Sequence, residues 1–191
     1  MLLLLFLLLR RGRTGHAIRR STRSLAVTAL LTLTLAVIGG LGDTRPFAGV
    51  GRASAASVSL APADFAAQML ALINVERRRA GLPELAWMSD VDRVAVDRAV
   101  DMATLGYFDH FNPAGIGAAH LLRAYGVPHD ILGENIARST YPAAQVVRNV
   151  HEAFMASPGH RANVLEGRFH RVGIGAAVVD RTYYFAIVFV D

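Results

Sequence analysis

The sequence has no cysteine and no lysine. Without cysteine there is no disulfide framework, so a hydrophobic core alone must hold the fold. Every basic side chain is an arginine, which is a bias of composition and carries no functional message. The chain also lacks internal repeats and, beyond its first residues, any low-complexity tract. A net positive charge is missing from most of its length as well. Residues 1–55 hold eight arginines against one acid, a net of +7, whereas residues 56–191 hold twelve arginines against fourteen acids, a net of −2. The formal charge of +5 is therefore a property of the N-terminal stretch. No basic stripe persists beyond it, and that argues against a nucleic-acid partner.

Two regions follow from this division. Residues 1–55 read as a signal peptide or membrane anchor plus linker, because an arginine-rich stretch precedes the apolar run Leu25–Leu41. That run suits a signal h-region and lies near the lower limit for a membrane span. Ala53-Ser54-Ala55 fits a small-residue cleavage site, which would release a chain beginning near Ala56. The expected location is secreted or cell-envelope, with anchoring through residues 25–41 as the alternative and no other contact with a membrane. The leucines of Met1–Leu9 are too few to span a bilayer and read as sequence upstream of the true start. Residues 56–191 form the expected domain, long enough to bury roughly 65–70% of its unfolded surface.

Within that domain, helical and strand periods succeed one another. Phe65, Met69, Leu72 and Ile73 mark one face of a helix that Asp64 can cap, that Glu76–Arg79 end in solvent, and that Gly81 and Pro83 stop. Ser89 with Asp92 resembles a capping box opening a second helix, its inner face Val91, Val94, Ala95, Ala99 and Met102, which Gly106 closes. Ile116–Tyr125 reads as a short third helix. A fourth runs from near Thr140 and Pro142 to Ala156, burying Val146, Val147, Val150 and Phe154. Arg171–Val179 alternates as a strand with a glycine face, Asp180-Arg181 forms a turn, and Thr182–Val190 returns as a strand apolar on both faces. Such a strand needs cover on both sides, so the expected class is α+β: an α-β-α sandwich with a central antiparallel sheet between helical layers. The glycine face lets a helix approach the sheet closely.

The chemistry concentrates in three places. Ser157-Pro158-Gly159-His160 breaks one helix and opens another, which exposes His160 at a turn. An imidazole there can bind a metal, act as a base or simply cap the turn. His110 stands in the aromatic loop Tyr107–Pro113, where it can equally pack between Phe108 and Phe111. Glu134 in Gly133-Glu134-Asn135-Ile136 reads as a carboxylate aimed by a tight turn.

Four motifs in this order, Phe108-Asp109-His110, Gly133-Glu134-Asn135-Ile136, Ser157–Leu165 and Val172-Gly173-Ile174-Gly175, resemble the CAP superfamily of cysteine-rich secretory, antigen 5 and pathogenesis-related proteins. Its module is the SCP domain, and the Ser-Pro-Gly-His-Arg-x-Asn form is most similar to its cysteine-free bacterial members. The resemblance spans about Phe65 to Val190. It implies an α-β-α sandwich with a cleft holding two histidines and two acids, and maps the histidines to His110 and His160 and one acid to Glu134. The second acid has no match: Phe154 stands where animal and plant members have tryptophan, and Ser157 where they have the acid. Glu152 lies about 140° around the helix from Ser157 and points elsewhere.

The resemblance therefore implies a cleft of Glu134, Asn135 and Ser157 beside two candidate metal ligands, His110 and His160. Two neutral imidazoles can hold a divalent cation, zinc foremost, though weakly, since catalytic zinc usually takes three protein ligands. Glu134 can orient a bound water, or it can bond an imidazole and never touch a metal. Asn135 and Asn163 are expected to brace backbone, Arg161 to pair with an acid such as Asp109 or to stay in solvent, and His120, His129, His151 and His170 to be surface or packing residues. The expected function is a binding or interaction module of the cell envelope or extracellular space whose partners are small apolar molecules, lipids, cell-wall components or proteins. The alternative is a metal-assisted hydrolase with Glu134 as catalytic base.

Overall fold

The computed structural model describes residues 1–10 and 57–191. The expected signal or anchor run Leu25–Leu41 and the cleavage site Ala53–Ala55 lie outside the described residues. Among those described, no helix is long and apolar enough to cross a membrane.

The described residues form six strands and five helices in the order β1 (Leu2–Arg10), β2 (Ser59–Leu60), α1 (Asp64–Arg79), β3 (Ala86–Trp87), α2 (Ser89–Leu105), α3 (Ala118–Ala124), β4 (Ile131–Ser139), α4 (Ala143–Ala156), α5 (Pro158–Val164), β5 (Arg171–Val179) and β6 (Thr182–Val190). One sheet runs β1-β4-β6-β5-β2, antiparallel throughout, with the two-residue β3 added parallel to β5. The β5–β6 hairpin turns at Asp180 and Arg181, whose φ angles of 47° and 62° give the positive-φ pair that a two-residue hairpin loop requires.

Alternation along β6 shows why both faces had to be covered. Phe185, Ile187 and Phe189 enter a core with Phe65, Met69 and Ile73 of α1 and Val146, Val150 and Phe154 of α4. Val188 and Val190 enter a second core with Val91, Val94 and Ala95 of α2 and Leu122 of α3. The sandwich expected from the sequence is the fold observed, with α1, α4 and α5 on one side and α2 and α3 on the other. The glycine face of β5 works as its spacing implied. A Cβ on Gly173 would lie 2.2 Å from the carbonyl carbon of Val91, and one on Gly175 would lie 2.1 Å from the carbonyl oxygen of Ala95. Helix α2 thus rests on the sheet backbone itself.

Several local expectations are corrected. Gly133–Ile136 is no turn but the middle of β4, paired on both edges. Glycine at 133 serves close packing, since a Cβ there would meet Phe169 Cζ at 2.9 Å and Asn163 Cγ at 3.1 Å. Neither Asp64 nor Ser89 caps a helix; each already lies in the first turn, after Ala63 and Met88. The Asp92 carboxylate instead accepts the Ile174 N–H at 3.1 Å and ties α2 to β5. Helix α3 is shorter than expected, beginning at Ala118.

The charged end of α1 is not uniformly solvated. Arg77 is fully buried, donating from Nε to Pro83 O (2.7 Å), from Nη1 to Val164 O (2.9 Å) and Glu166 O (3.0 Å), and from Nη2 to Phe169 O (3.0 Å). One guanidinium so closes the chain that leaves α5 onto the end of α1. Burial lowers its pKa, partly offset by nearby Glu166.

Candidate functional site

Strand β4 carries the site because adjacent strand residues face opposite layers. Glu134 faces the α2 side and Asn135 the α5 side.

On the α2 side, Glu134 is fully buried and both carboxylate oxygens are occupied. Arg98 Nε donates to Oε1 at 3.0 Å, and His110 Nδ1–H donates to Oε2 at 2.7 Å. Arg98, itself withdrawn from solvent on the inner face of α2, also donates to Tyr107 Oη at 2.5 Å and to Asp109 O at 2.7 Å. Tyr107 Oη–H in turn donates to Asp101 at 2.7 Å, and Asn112 Nδ2 donates to the same carboxylate. Burial alone would lower the Arg98 pKa, but Glu134 and Tyr107 together raise it. Burial and the bond to Asp101 push the Tyr107 phenol well above its ordinary value. Tyr107 is therefore a neutral phenol under ordinary conditions.

His110 is thus fixed from below rather than packed between phenylalanines, and Phe111 is in fact exposed. With Nδ1–H given to a carboxylate, the lone pair falls on Nε2, the arrangement in which a carboxylate orients an imidazole toward a metal. Nε2 is buried and has no hydrogen-bond partner among the described residues.

On the α5 side, Pro158 at the first position of α5 and Ser157 between α4 and α5 set His160 in the first turn of the new helix, where it is buried rather than exposed as expected. His160 Nδ1 lies 2.7 Å from Ser157 Oγ, and its ring packs 5.1 Å from that of Phe154. Asn135 Nδ2 donates to His160 O at 3.0 Å, while Asn135 Oδ1 accepts from Asn163 Nδ2 at 2.8 Å. The two asparagines do brace backbone, as expected, but they fasten α5 to a strand rather than filling a turn. Ser157, standing where the second acid was sought, orients the imidazole without supplying charge.

The structure therefore joins the His110 ring to Glu134 on one face of β4, the His160 backbone to Asn135 on the other, and the His160 ring to Ser157. Among the described residues no three or more histidine, cysteine, aspartate or glutamate side chains converge as a metal cluster. The orphaned Nε2 of His110 presents one lone pair that a ligand could meet, and nothing in the donor set fits a three-ligand zinc centre. Arg161 is exposed, and the Asp109 carboxylate accepts the Phe111 N–H instead. His120 accepts the Gly117 N–H, His129 bonds Val127 O, His151 is buried, and His170 is exposed. Sequence reasoning missed Arg98 as the partner of Glu134. The signal was there: it continues the apolar stripe of Val91, Val94, Ala95 and Met102 as a lone charge. A hollow of about 320 Å³ opens over this network, lined by Arg98, Asp101, Asn112, Ile116 and Leu121.

The profile of the CAP family, the cysteine-rich secretory protein family, matches residues 70–190. The chain belongs to that family. Its CAP domain is 32% identical over 108 residues to YkwD of Bacillus subtilis (strain 168), a match covering 56% of this chain and 40% of the relative. It is also 32% identical over 117 residues to the membrane protein YlbC of the same organism, covering 61% and 32%. Among solved structures, an extracellular protein of Bacillus anthracis containing an SCP domain superposes with a TM-score of 0.56 at 29% identity, over 66% of this chain and 40% of that one. An outer surface protein of Borrelia burgdorferi shares the fold, with a TM-score of 0.58 at 17% identity over 65% and 90%. The chain spans less than half the length of the Bacillus proteins it matches.

Proposed function

We propose that this CAP domain is an exported binding module of the cell envelope or extracellular space, with a cleft at His110, Glu134 and His160 able to hold a divalent cation weakly. The observation that carries this reading is the double occupancy of Glu134. A general base must reach the water it deprotonates, yet this carboxylate is fully buried and each of its oxygens already accepts one hydrogen bond, from Arg98 and from His110. Such a carboxylate orients an imidazole and neutralises an arginine, which suits binding better than hydrolysis. The part-apolar hollow beside the network favours a small apolar ligand, a lipid or a wall component. Export is supported by the arginine-then-apolar N-terminal sequence and by the extracellular Bacillus anthracis neighbour. Whether the leader is cleaved near Ala56 or retained through residues 25–41 is read by N-terminal sequencing of the exported protein, and cleavage is the expected result.

Zinc titration by calorimetry tests the cleft. Saturable binding in the wild type, lost in the His110→Ala/His160→Ala double variant with the fold retained, is the expected outcome. Glu134-dependent hydrolysis of an ester or peptide, abolished by Glu134→Gln, would instead favour the metal-assisted hydrolase.

A further inference from the structure

The outer edge of β4 differs from the edges that sheets usually leave open. It is nine residues long, has no proline, and turns its one acid, Glu134, into the protein. An edge of that kind, with unblocked N–H and C=O groups, is a template for pairing with another strand. Here it is filled. Leu2–Arg10 pairs with it along all nine positions in antiparallel register, Leu7 opposite Glu134 and Phe6 opposite Asn135. This strand also lies against α5, the helix that carries His160.

Two features make the seat a property of the CAP domain and the occupant an addition to it. Strand β4 lies within residues 70–190 that define the family, whereas Leu2–Arg10 lies outside them. The His110 imidazole is bonded to Glu134 on one face of β4 and the His160 backbone carbonyl to Asn135 on the other, so the edge between those faces adjoins both histidine-bearing segments. The backbone of β1 runs along that edge.

We propose that the β4 edge is a strand-accepting surface, which binds an extended apolar segment of a partner polypeptide antiparallel to β4, and that Leu2–Arg10 fills this seat in the uncleaved chain and leaves it to such a partner once the leader is removed. The proposal rests on the binding reading of the cleft and names its partner class. Main-chain pairing along the edge supplies affinity, and the faces on either side of β4 read alternate side chains. The occupant seen here, eight leucine and phenylalanine residues before Arg10, sets the expected chemistry as apolar.

The test uses the full chain in detergent micelles, as wild type and as the Leu5→Pro/Leu7→Pro variant, which removes two donors from β1. Hydrogen exchange is read at the β4 amides, with β5 and β6 as the check that the domain remains folded. The β4 amides not bonded to β6 should exchange at least about tenfold faster in the variant. A synthetic peptide of residues 1–10 with three added arginines should restore slow exchange. Because antiparallel pairing uses alternate amides, N-methylation at positions 3, 5 and 7 or at 4, 6 and 8 should abolish protection in one peptide and spare it in the other. Unchanged β4 exchange in the variant, failure of the plain peptide to protect, or equal protection by both methylated peptides would each overturn the proposal. Zinc calorimetry on the same variant separates the two readings. Zinc binding without peptide protection overturns the strand surface and leaves the ion cleft standing; protection without zinc binding supports the strand surface and removes the ion.

Discussion

The Glu134 carboxylate meets the Arg98 guanidinium at 3.0 Å with both side chains withdrawn from solvent. A buried ion pair of this kind contributes little net stability as a pair, yet it is costly to break from one side, because the remaining charge stays buried. Glu134→Ala should therefore destabilise the CAP domain by about 3–5 kcal/mol in urea unfolding. The double variant Arg98→Met/Glu134→Leu should recover most of that loss. A double variant as unstable as the sum of the singles would show that the two side chains act independently.

Arg77 satisfies four carbonyls from three nitrogens and is fully buried. Lysine offers one ammonium, which cannot span acceptors on both sides of the fork. Arg77→Lys should cost about 2–3 kcal/mol, read as a shift of the denaturation midpoint at unchanged slope. Exposed Arg78, one residue on, is the control, and Arg78→Lys should be near neutral.

The contact of α2 with β5 depends on missing Cβ atoms. Ala at Gly173 or Gly175 would sit little more than 2 Å from helix backbone, which cannot step aside as a side chain can. Each substitution should cost about 3 kcal/mol or prevent folding. A melting temperature within a degree or two of wild type would contradict the packing described.

His151 lies buried between α4 and α1, about 4.0 Å from the Glu76 carboxylate. Burial lowers its pKa more than Glu76 and Glu152 raise it, and Arg79 adds to the lowering. A histidine with a folded-state pKa below its unfolded value of about 6.5 favours folding in its neutral form. Its contribution is complete above that unfolded value and is lost as pH falls through the lower folded pKa. The unfolding free energy of the wild type should decline with acid below about pH 6.5 more steeply than that of His151→Phe. Parallel curves would assign the acid sensitivity elsewhere.

Periodicity makes the layers legible in the sequence. The strands Arg171–Val179 and Thr182–Val190, the turn between them and the inner faces of α1, α2 and α4 all follow from apolar spacing, because burial imposes that spacing. What the spacing hid was tertiary. Gly133 and Asn135 carry turn-like propensities, yet they serve in β4 because Phe169, Asn163 and α5 press against it and pairing on both edges overrides local preference. Arg77 and Arg98 resemble solvated charges by type, and only the carbonyls and the carboxylate that reach them from distant segments reveal them as interior groups. Motif order singles out His110 and His160. Their partners were less visible: the same motifs indicated Glu134 beside His110, whereas Ser157 as the orienting group of His160 emerges only from the geometry.

The most direct measurement of the central claim is long-range proton–nitrogen NMR of the imidazoles during zinc addition. The site as described requires His110 to be the Nδ1–H tautomer, its proton held by Glu134 and its lone pair on Nε2. The predicted spectrum has that tautomer in the zinc-free protein, with the Nε2 resonances of His110 and His160 moving together and saturably as zinc is added. An Nε2–H tautomer of His110, or zinc shifts confined to other histidines, would contradict the account.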